Sequence, residues 1–469
     1  MYPSFDEFKK LAKEYDRITF YSEMNGDMDT PVSLLSRLLS FDTAILLESA
    51  QQNKTYSRFS FLAFDIKEKL LIRRDGLYCN GRFRGPLSQF STSLARRVPP
   101  IGEFGDFTGG YVGYLDFEFV GACGVLRSPL SKAASTLGML YLVEKFCVYD
   151  NYTNKIYIAL SADLRGRATE EGYNEIAEEL DRVEREIGSL ASSLPDATKP
   201  VLTRAIPREE FVKKVRKARE MIAEGEAIQI VLSDFLEVKE LEPFQFYRNL
   251  RRINPSPYMY FLKDGDTCIV GSSPEVHLRI RDRVAMLKPI AGTRPRDGSD
   301  LERIIDSLRN DEKEKAEHLM LVDLARNDLS RICRVGSVEV EGFMETEVYS
   351  HVVHLVSEVK GQLKSEMGVV EALMQTFPAG TVSGAPKVRA IEIIDEIEES
   401  PRGAYAGCIG YIGFDGSVEM AITIRTAFFQ GNRARLQAGA GIVYDSIPES
   451  EYEEVMNKLK ALMRAGGIE

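Results

Sequence analysis

The chain has 469 residues, 44% of them hydrophobic and 28% charged, the balance of a soluble globular protein with room for about three average domains. Basic residues number 60 against 71 acidic ones, for a net charge of −11, and no Lys/Arg run tracks a phosphate backbone, so nucleic acid is excluded as an expected partner. The 6 cysteines stand apart with no C-x-x-C pair, as buried thiols do in a reducing compartment. No signal peptide opens the chain and no window approaches about 18 apolar residues, which predicts a cytoplasmic protein without a membrane span.

In chain order, residues 31–160 alternate β-rich runs with turn signals: AILLESA, YSRFSFLAF, LLIRRDGLYCNG, GGYVGYLDFEF, KFCVYD and KIYIAL predict antiparallel sheet, with a hairpin turn at Asp75-Gly76. Ile176, Leu180, Val183, Ile187 and Leu190 recur at helical spacing, and SSLPDATKP after them has the composition of a linker. A second helix carries Pro207 in its first turn, turns Phe211, Val215, Ala218 and Ile222 to one side, and stops at Gly225. Strands follow at AIQIVLSDFLEV, YMYFL, TCIVGSS and VAMLKPIAG, then helical stretches over 301–329 and 385–399. A hairpin array from CIGYIG to AGAGIVY and a last helix close the chain. The organisation read from this is a β-rich region over 1–190, a linker over 191–206 and a larger region over 207–469.

In the last helix, Glu451, Glu454, Val455, Lys458 and Leu462 share a face. Either that face is solvated and Lys458 pairs with Glu454, or the two carboxylates hold a divalent cation. Glu317 falls on the apolar stripe of Met320, Leu321, Leu324 and Asp328, where an ionised carboxylate needs a buried salt bridge or a cation. Together the three offer hard oxygen ligands of the kind Mg²⁺ prefers. The small-residue loop 379–385 leads into a helix whose N-terminus favours an anion, but its Lys387 spacing is not that of a Walker A loop. Among the 4 histidines, His351 and His354 are candidates for acid or base work or for structural imidazoles. No G-x-S-x-G, H-E-x-x-H or dinucleotide-binding glycine motif occurs, nor a Cys and His-x-Glu set that would release ammonia from glutamine.

Taken together, LLESA, NPSPYMYF, GSSPE, PIAGTRPR, AEHLMLVDLARNDLSR, HVVHL, PAGTVSGAPK, RGAYAGCIGY, AITIRTA, AGAGIVYDSIPESEYEE and NKLKAL resemble the chorismate-utilising enzymes, and among them the large chains of anthranilate synthases. The resemblance implies an Mg²⁺ held by Glu317, Glu451 and Glu454 against the ring carboxylate of chorismate, with Lys458 balancing the charge. It implies that Tyr405 and Arg425, helped by amides of Gly439 and Gly441, hold the enolpyruvyl carboxylate, and that Gly292 and Thr293 belong to the substrate site. Glu275 is then the general acid for the departing ring hydroxyl, its pKa raised by apolar surroundings. His354 assists loss of pyruvate, with Thr381 near it.

Within that family, Gln229 stands where isochorismate-forming members carry a water-activating lysine, and Ala291 where aminodeoxychorismate synthases read PIKGT. Neither residue supports those routes, which leaves ammonia as nucleophile and anthranilate as product, in the first step of tryptophan biosynthesis. The resemblance also implies a separate glutamine amidotransferase subunit, in a heterotetramer of two large and two small chains. It further implies tryptophan feedback through Glu48 and Ser49 and through Asn254, Pro255, Ser256, Pro257, Tyr258 and Met259. Tryptophan itself is absent from the chain. The segment 120–138 departs from the acidic, proline-bearing run usual in the family, and Asp297 stands where glycine is usual. Alternatives are another chorismate enzyme, such as aminodeoxychorismate synthase, and a non-catalytic tryptophan-binding regulator. The expected fold is α+β, with two large antiparallel sheets facing each other across a cleft and helices outside.

Overall fold

The computed structural model describes residues 1–49, 58–87, 96–102, 105, 107–126, 128–132, 135–196, 198–296, 300–348 and 352–468. Among them, two antiparallel sheets of 12 strands each form the frame. The first runs, in spatial order, Arg17–Asn25, Lys155–Asp163, Lys145–Asp150, Phe59–Phe64, Thr43–Glu48, Tyr258–Asp264, Thr267–Ser273, Thr426–Gln430, Arg433–Ile442, Gln229–Lys239 and Val201–Arg204, with Gly384–Ala385 as a short twelfth. The second runs Ile290–Pro295, Val352–Gln362, Val284–Leu287, Val276–Arg281, Val418–Ile422, Cys408–Gly413, Gly110–Leu115, Thr136–Val143, Lys69–Arg73, Gly76–Cys79 and Arg82–Gly85, and Glu339–Val348 pairs with Val352–Gln362. Both sheets therefore combine strands from before residue 190 and after residue 207.

Two apolar layers hold this frame together. Between the sheets, Ile45, Phe146, Tyr260 and Leu262 of the first meet Val112, Tyr114, Tyr141 and Ile409 of the second, as expected where alternate residues of facing strands turn inward. On the outer face of the first sheet, Leu232, Leu236 and Leu436 pack with Phe211 and Val215 of the helix Arg208–Ala223 and with Val455, Leu459 and Leu462 of the helix Pro448–Gly466. Burying a side chain of this size contributes about 1.5–3 kcal/mol, and this seam fixes the last helix against strand Arg433–Ile442.

Several elements differ from the sequence reading, each for a local reason. Residues 31–38 form a helix, because Pro31 opens it and Thr30 and Ser33 cap each other across its first turn. The stretch 301–329 is two helices, Leu301–Arg309 and Glu312–Ile332, since Asp311 accepts from the amides of Lys313 and Glu314 and starts a new helix. The helix expected from residue 385 begins at Lys387, because Gly384–Ala385 pairs with Gln229 and Ile230 as strand. At its N-terminus Lys387 pairs with Asp328 at 2.6 Å. Helices Pro243–Ile253 and Val369–Thr376 carried no clear signal in the sequence. His351 and Asp297 lie outside the described residues.

Candidate active site

Strand Gln229–Lys239 pairs with Arg433–Ile442, placing Val231 opposite Gly441 and Ser233 opposite Gly439. Both glycines are required by close approach. A Cβ on Gly441 would stand 2.5 Å from Gln229 Nε2, and one on Gly439 would stand 2.8 Å from the Tyr405 hydroxyl. Small residues here let Gln229 and Tyr405 lie over the strand. Lys458 Nζ donates to the Gly439 carbonyl at 2.8 Å, tying the last helix to the same spot. Burial raises the Tyr405 pKa, so its hydroxyl stays a proton donor.

Glu275 follows strand Thr267–Ser273 and is 8% exposed. Burial raises its pKa from 4.5 to about 8, while Thr381, Arg425 and Lys458 pull the other way. The fold thus brings Thr381, Arg425 and Lys458, from three other stretches of chain, within electrostatic reach of Glu275. Arg425 has a left-handed backbone, with φ 50°, a conformation that strains a residue with a side chain and recurs at functional sites. Its Nη1 donates to Asn254 Oδ1 at 3.4 Å, and burial lowers its pKa against the opposing pull of Glu275.

His354 lies in strand Val352–Gln362, in register opposite Thr293, and its Nδ1 is 3.1 Å from the Gly292 carbonyl. A carbonyl only accepts, so Nδ1 carries the proton and Nε2 is the basic nitrogen. Burial lowers the pKa of the ring, and the Arg425 charge lowers it further.

Glu317, on helix Glu312–Ile332, and Glu451 both have pKa values raised first by burial, and in both cases the Glu454 charge adds to the rise. Two helices distant in sequence therefore place three carboxylates within electrostatic reach of one another. Their all-oxygen donor set and mutual repulsion suit a hard divalent cation. As they stand, no trio of ligating residues among the described residues forms a closed cluster, and Glu454 pairs with Lys458 at 2.7 Å.

A cleft of about 660 Å³ opens between the sheets. Glu48, Ser49, Pro257, Tyr258 and Met259 line one wall, with Met259 in register opposite Glu48. Glu48 pairs with Arg251 at 2.5 Å, and Ser49 Oγ is buried with no hydrogen-bond partner among the described residues. Asn254 stands apart from this wall, bonded to Arg425, while Pro255 and Ser256 do not line the cleft. The opposite wall was not anticipated: Arg279 grips Glu419 at 2.7 Å, and Arg281 reaches Glu419 and the Tyr411 hydroxyl at 3.0 and 2.6 Å. The alternation of charge in VHLRIR was the signal that these arginines share one face. Also unanticipated is Arg402, 3% exposed, which holds Glu398 at 2.6 Å and the Val382 carbonyl at 2.8 Å.

Known proteins resemble the chain in sequence and in fold. Residues 43–464 match the family described as chorismate binding enzyme. The chain is 40% identical to anthranilate synthase component 1 of Aquifex aeolicus over 98% of this chain and 97% of that one. It superposes on the crystal structure of anthranilate synthase component I from Streptococcus pneumoniae TIGR4 with a TM-score of 0.75 and 36% identity, covering 87% of this chain and 93% of that one. The menaquinone-specific isochorismate synthase MenF of Escherichia coli shares the fold, with a TM-score of 0.70 at 20% identity over 98% of each chain. By sequence, fold and the coverage of both, the chain belongs to the chorismate binding enzyme family.

Proposed function

We propose that the chain is the chorismate-aminating subunit of an anthranilate synthase, converting chorismate and ammonia into anthranilate, pyruvate and water. The observation that carries this reading is the 40% identity, over 98% of the chain, to an anthranilate synthase component 1, and it is supported by Glu275, a buried carboxyl whose pKa burial raises to about 8, with a guanidinium and an ammonium near it to draw an anionic substrate. Arg425 and Tyr405 supply donors for a carboxylate, Arg in the planar fork that suits it. Ammonia attacks the ring carbon next to the ring carboxylate, the electron pair shifts through the diene, and the C–O bond to the ring hydroxyl breaks. Glu275 gives its proton to that oxygen, which leaves as water. His354 Nε2 then takes the hydrogen of the aminated ring carbon as the neighbouring ring C–O bond breaks, the ring becomes aromatic, and the departing enolpyruvate takes up a proton to become pyruvate. Gln229, an amide, and Ala291 offer neither a water-activating base nor a nucleophile, which supports amination over hydration or covalent capture.

Glu317, Glu451 and Glu454 would hold Mg²⁺. Bound there, the ion supplies charge neutralisation for the ring carboxylate of chorismate. Gly292 and Thr293 border the substrate beside His354. The absence of a glutamine-hydrolysing motif supports a separate amidotransferase subunit, in a heterotetramer of two large and two small chains. The large cleft supports tryptophan as inhibitor, held on Glu48, Ser49 and Pro257 to Met259, with the region 1–190 carrying much of that site and 207–469 the chemistry. Among the described residues no helix is long and apolar enough to cross a membrane, which fits a cytoplasmic placement. The test is stoichiometry: one anthranilate and one pyruvate form per chorismate consumed, and pyruvate without anthranilate would contradict the reading.

A further inference from the structure

Beside Glu275 lies a cavity of about 40 Å³, lined by Glu275, His277, Asp328, Thr376, Thr381 and Ala325 among others. That is room for about two or three water molecules. His277 is 2% exposed, and its Nε2 is buried with no hydrogen-bond partner among the described residues. Leaving such a nitrogen unmet is costly, and a small polar molecule in the cavity would satisfy it. Its position is specific. Pairing with strand Val418–Ile422 puts Val276 opposite Ala421 and Leu278 opposite Met420, so His277 is the extra residue of a β-bulge, a device that re-aims a side chain. The ring of Phe377 meets it edge-on at 5.5 Å and fixes its plane.

We propose that this cavity holds a short water chain, anchored on His277 Nε2 and on Asp328, that returns a proton to Glu275 after each turnover. The inference rests on the acid role given to Glu275 above. In the amination step the Glu275 proton leaves with the ring hydroxyl as water, and the carboxylate must regain one proton before the next chorismate can react. The attacking nitrogen is an ammonium after bond formation and releases one proton to the medium, so the two transfers cancel. Of the described groups that act on Glu275, Arg425 and Lys458 are cations whose charge the proposed reaction needs to hold substrate, and Thr381 is a hydroxyl, so none of the three refills it. The cavity supplies the route instead. Val276 and Lys288 line both it and the large cleft, so the two spaces adjoin and the chain has a source of water. Burial pushes the His277 pKa down to about 3, with the Lys387 charge adding to it, so the ring is neutral throughout and acts by orienting water without taking up charge. Asp328, held by Lys387 at 2.6 Å, anchors the other end.

His277 is thus a positioning residue, and its test needs a readout that a packing defect leaves unmoved. With saturating ammonium and Mg²⁺, His277→Leu should lower kcat about tenfold, leave KM for chorismate unchanged and raise the solvent deuterium isotope effect on kcat. His277→Gln, which restores a polar atom, should recover most of the rate. Ala325→Val, which narrows the cavity without removing a polar group, should reproduce the slower rate and larger isotope effect, and serves also if the leucine variant does not fold. Unchanged kcat and isotope effect in a folded leucine or valine variant would overturn the relay, and so would a glutamine variant as slow as the leucine one. A wild-type chain that makes no anthranilate would overturn the amination reading itself, before any variant is made.

Discussion

Glu454 and Lys458 stand one helical turn apart and pair at 2.7 Å, each about half exposed, while Lys458 also donates to the Gly439 carbonyl. The pair couples the carboxylate cluster to the strand beneath Tyr405. Removing the Glu454 charge should therefore weaken the proposed cation site. Glu454→Gln is expected to raise the Mg²⁺ concentration for half-maximal turnover at least about tenfold, as loss of a ligand charge does. A chelator titration of the wild type should abolish turnover and Mg²⁺ should restore it; a Gln variant with unchanged Mg²⁺ dependence would reject the ligand assignment.

With Glu275 as the proposed general acid, its titration should set the alkaline limb of activity. Its acid form is depleted as pH rises through about 8, so kcat should fall above that value, and Glu275→Gln should lower kcat by about 10²–10⁴ at neutral pH. The same shift has a sign in stability. A carboxyl raised from 4.5 to about 8 on folding contributes stability that is fully present below about 4.5 and lost as pH rises through about 8. Denaturant melts from pH 5 to 9 should therefore show a decline in the wild type that is smaller in the Gln variant.

Ser49 Oγ is a buried hydroxyl on the cleft wall with no partner among the described residues, ready to bond a ligand there. Ser49→Ala should raise the tryptophan concentration for half-inhibition about tenfold, the equivalent of one hydrogen bond. Inhibition curves normalised to each variant's own uninhibited rate read this directly, and superimposable curves would remove Ser49 from the effector site.

Arg402 joins Glu398, the carbonyls of Val231 and Val382, and through its amide the carboxylate of Glu118. Breaking one side of a buried pair strands the other charge. Arg402→Met is expected to destabilise the fold by about 3–5 kcal/mol in urea melts, and, because Val382 adjoins Thr381, to lower activity as well.

Local patterns were legible in the sequence. Val455 and Leu462 pack inward while Glu454 and Lys458 of the same helix face stay about half exposed, and Ile176, Leu180, Val183 and Ile187 are buried along the helix Glu170–Ser189 as their spacing predicts. The Asp75-Gly76 hairpin forms with a one-residue offset, Gly76 already pairing with Arg73. Illegible was what depends on distant partners. Gly110–Leu115 pairs with Cys408–Gly413, a contact that no local pattern encodes. Strand Glu339–Val348 alternates glutamates with residues only partly buried, so its apolar signal is weak. Glu275, Arg425, Thr381 and Lys458 were recognisable only through their motifs, because nothing in their spacing brings them together. His277 escaped notice because a bulge, invisible in sequence, aims it.

The most direct test of the account is fluorescence of the purified chain with chorismate, Mg²⁺ and ammonium at mildly alkaline pH, read against the same mixture without ammonium. Anthranilate emission that rises only when ammonium is present is the predicted result. Isochorismate or salicylate in its place, formed with or without ammonium, would contradict the account and the role it gives Gln229.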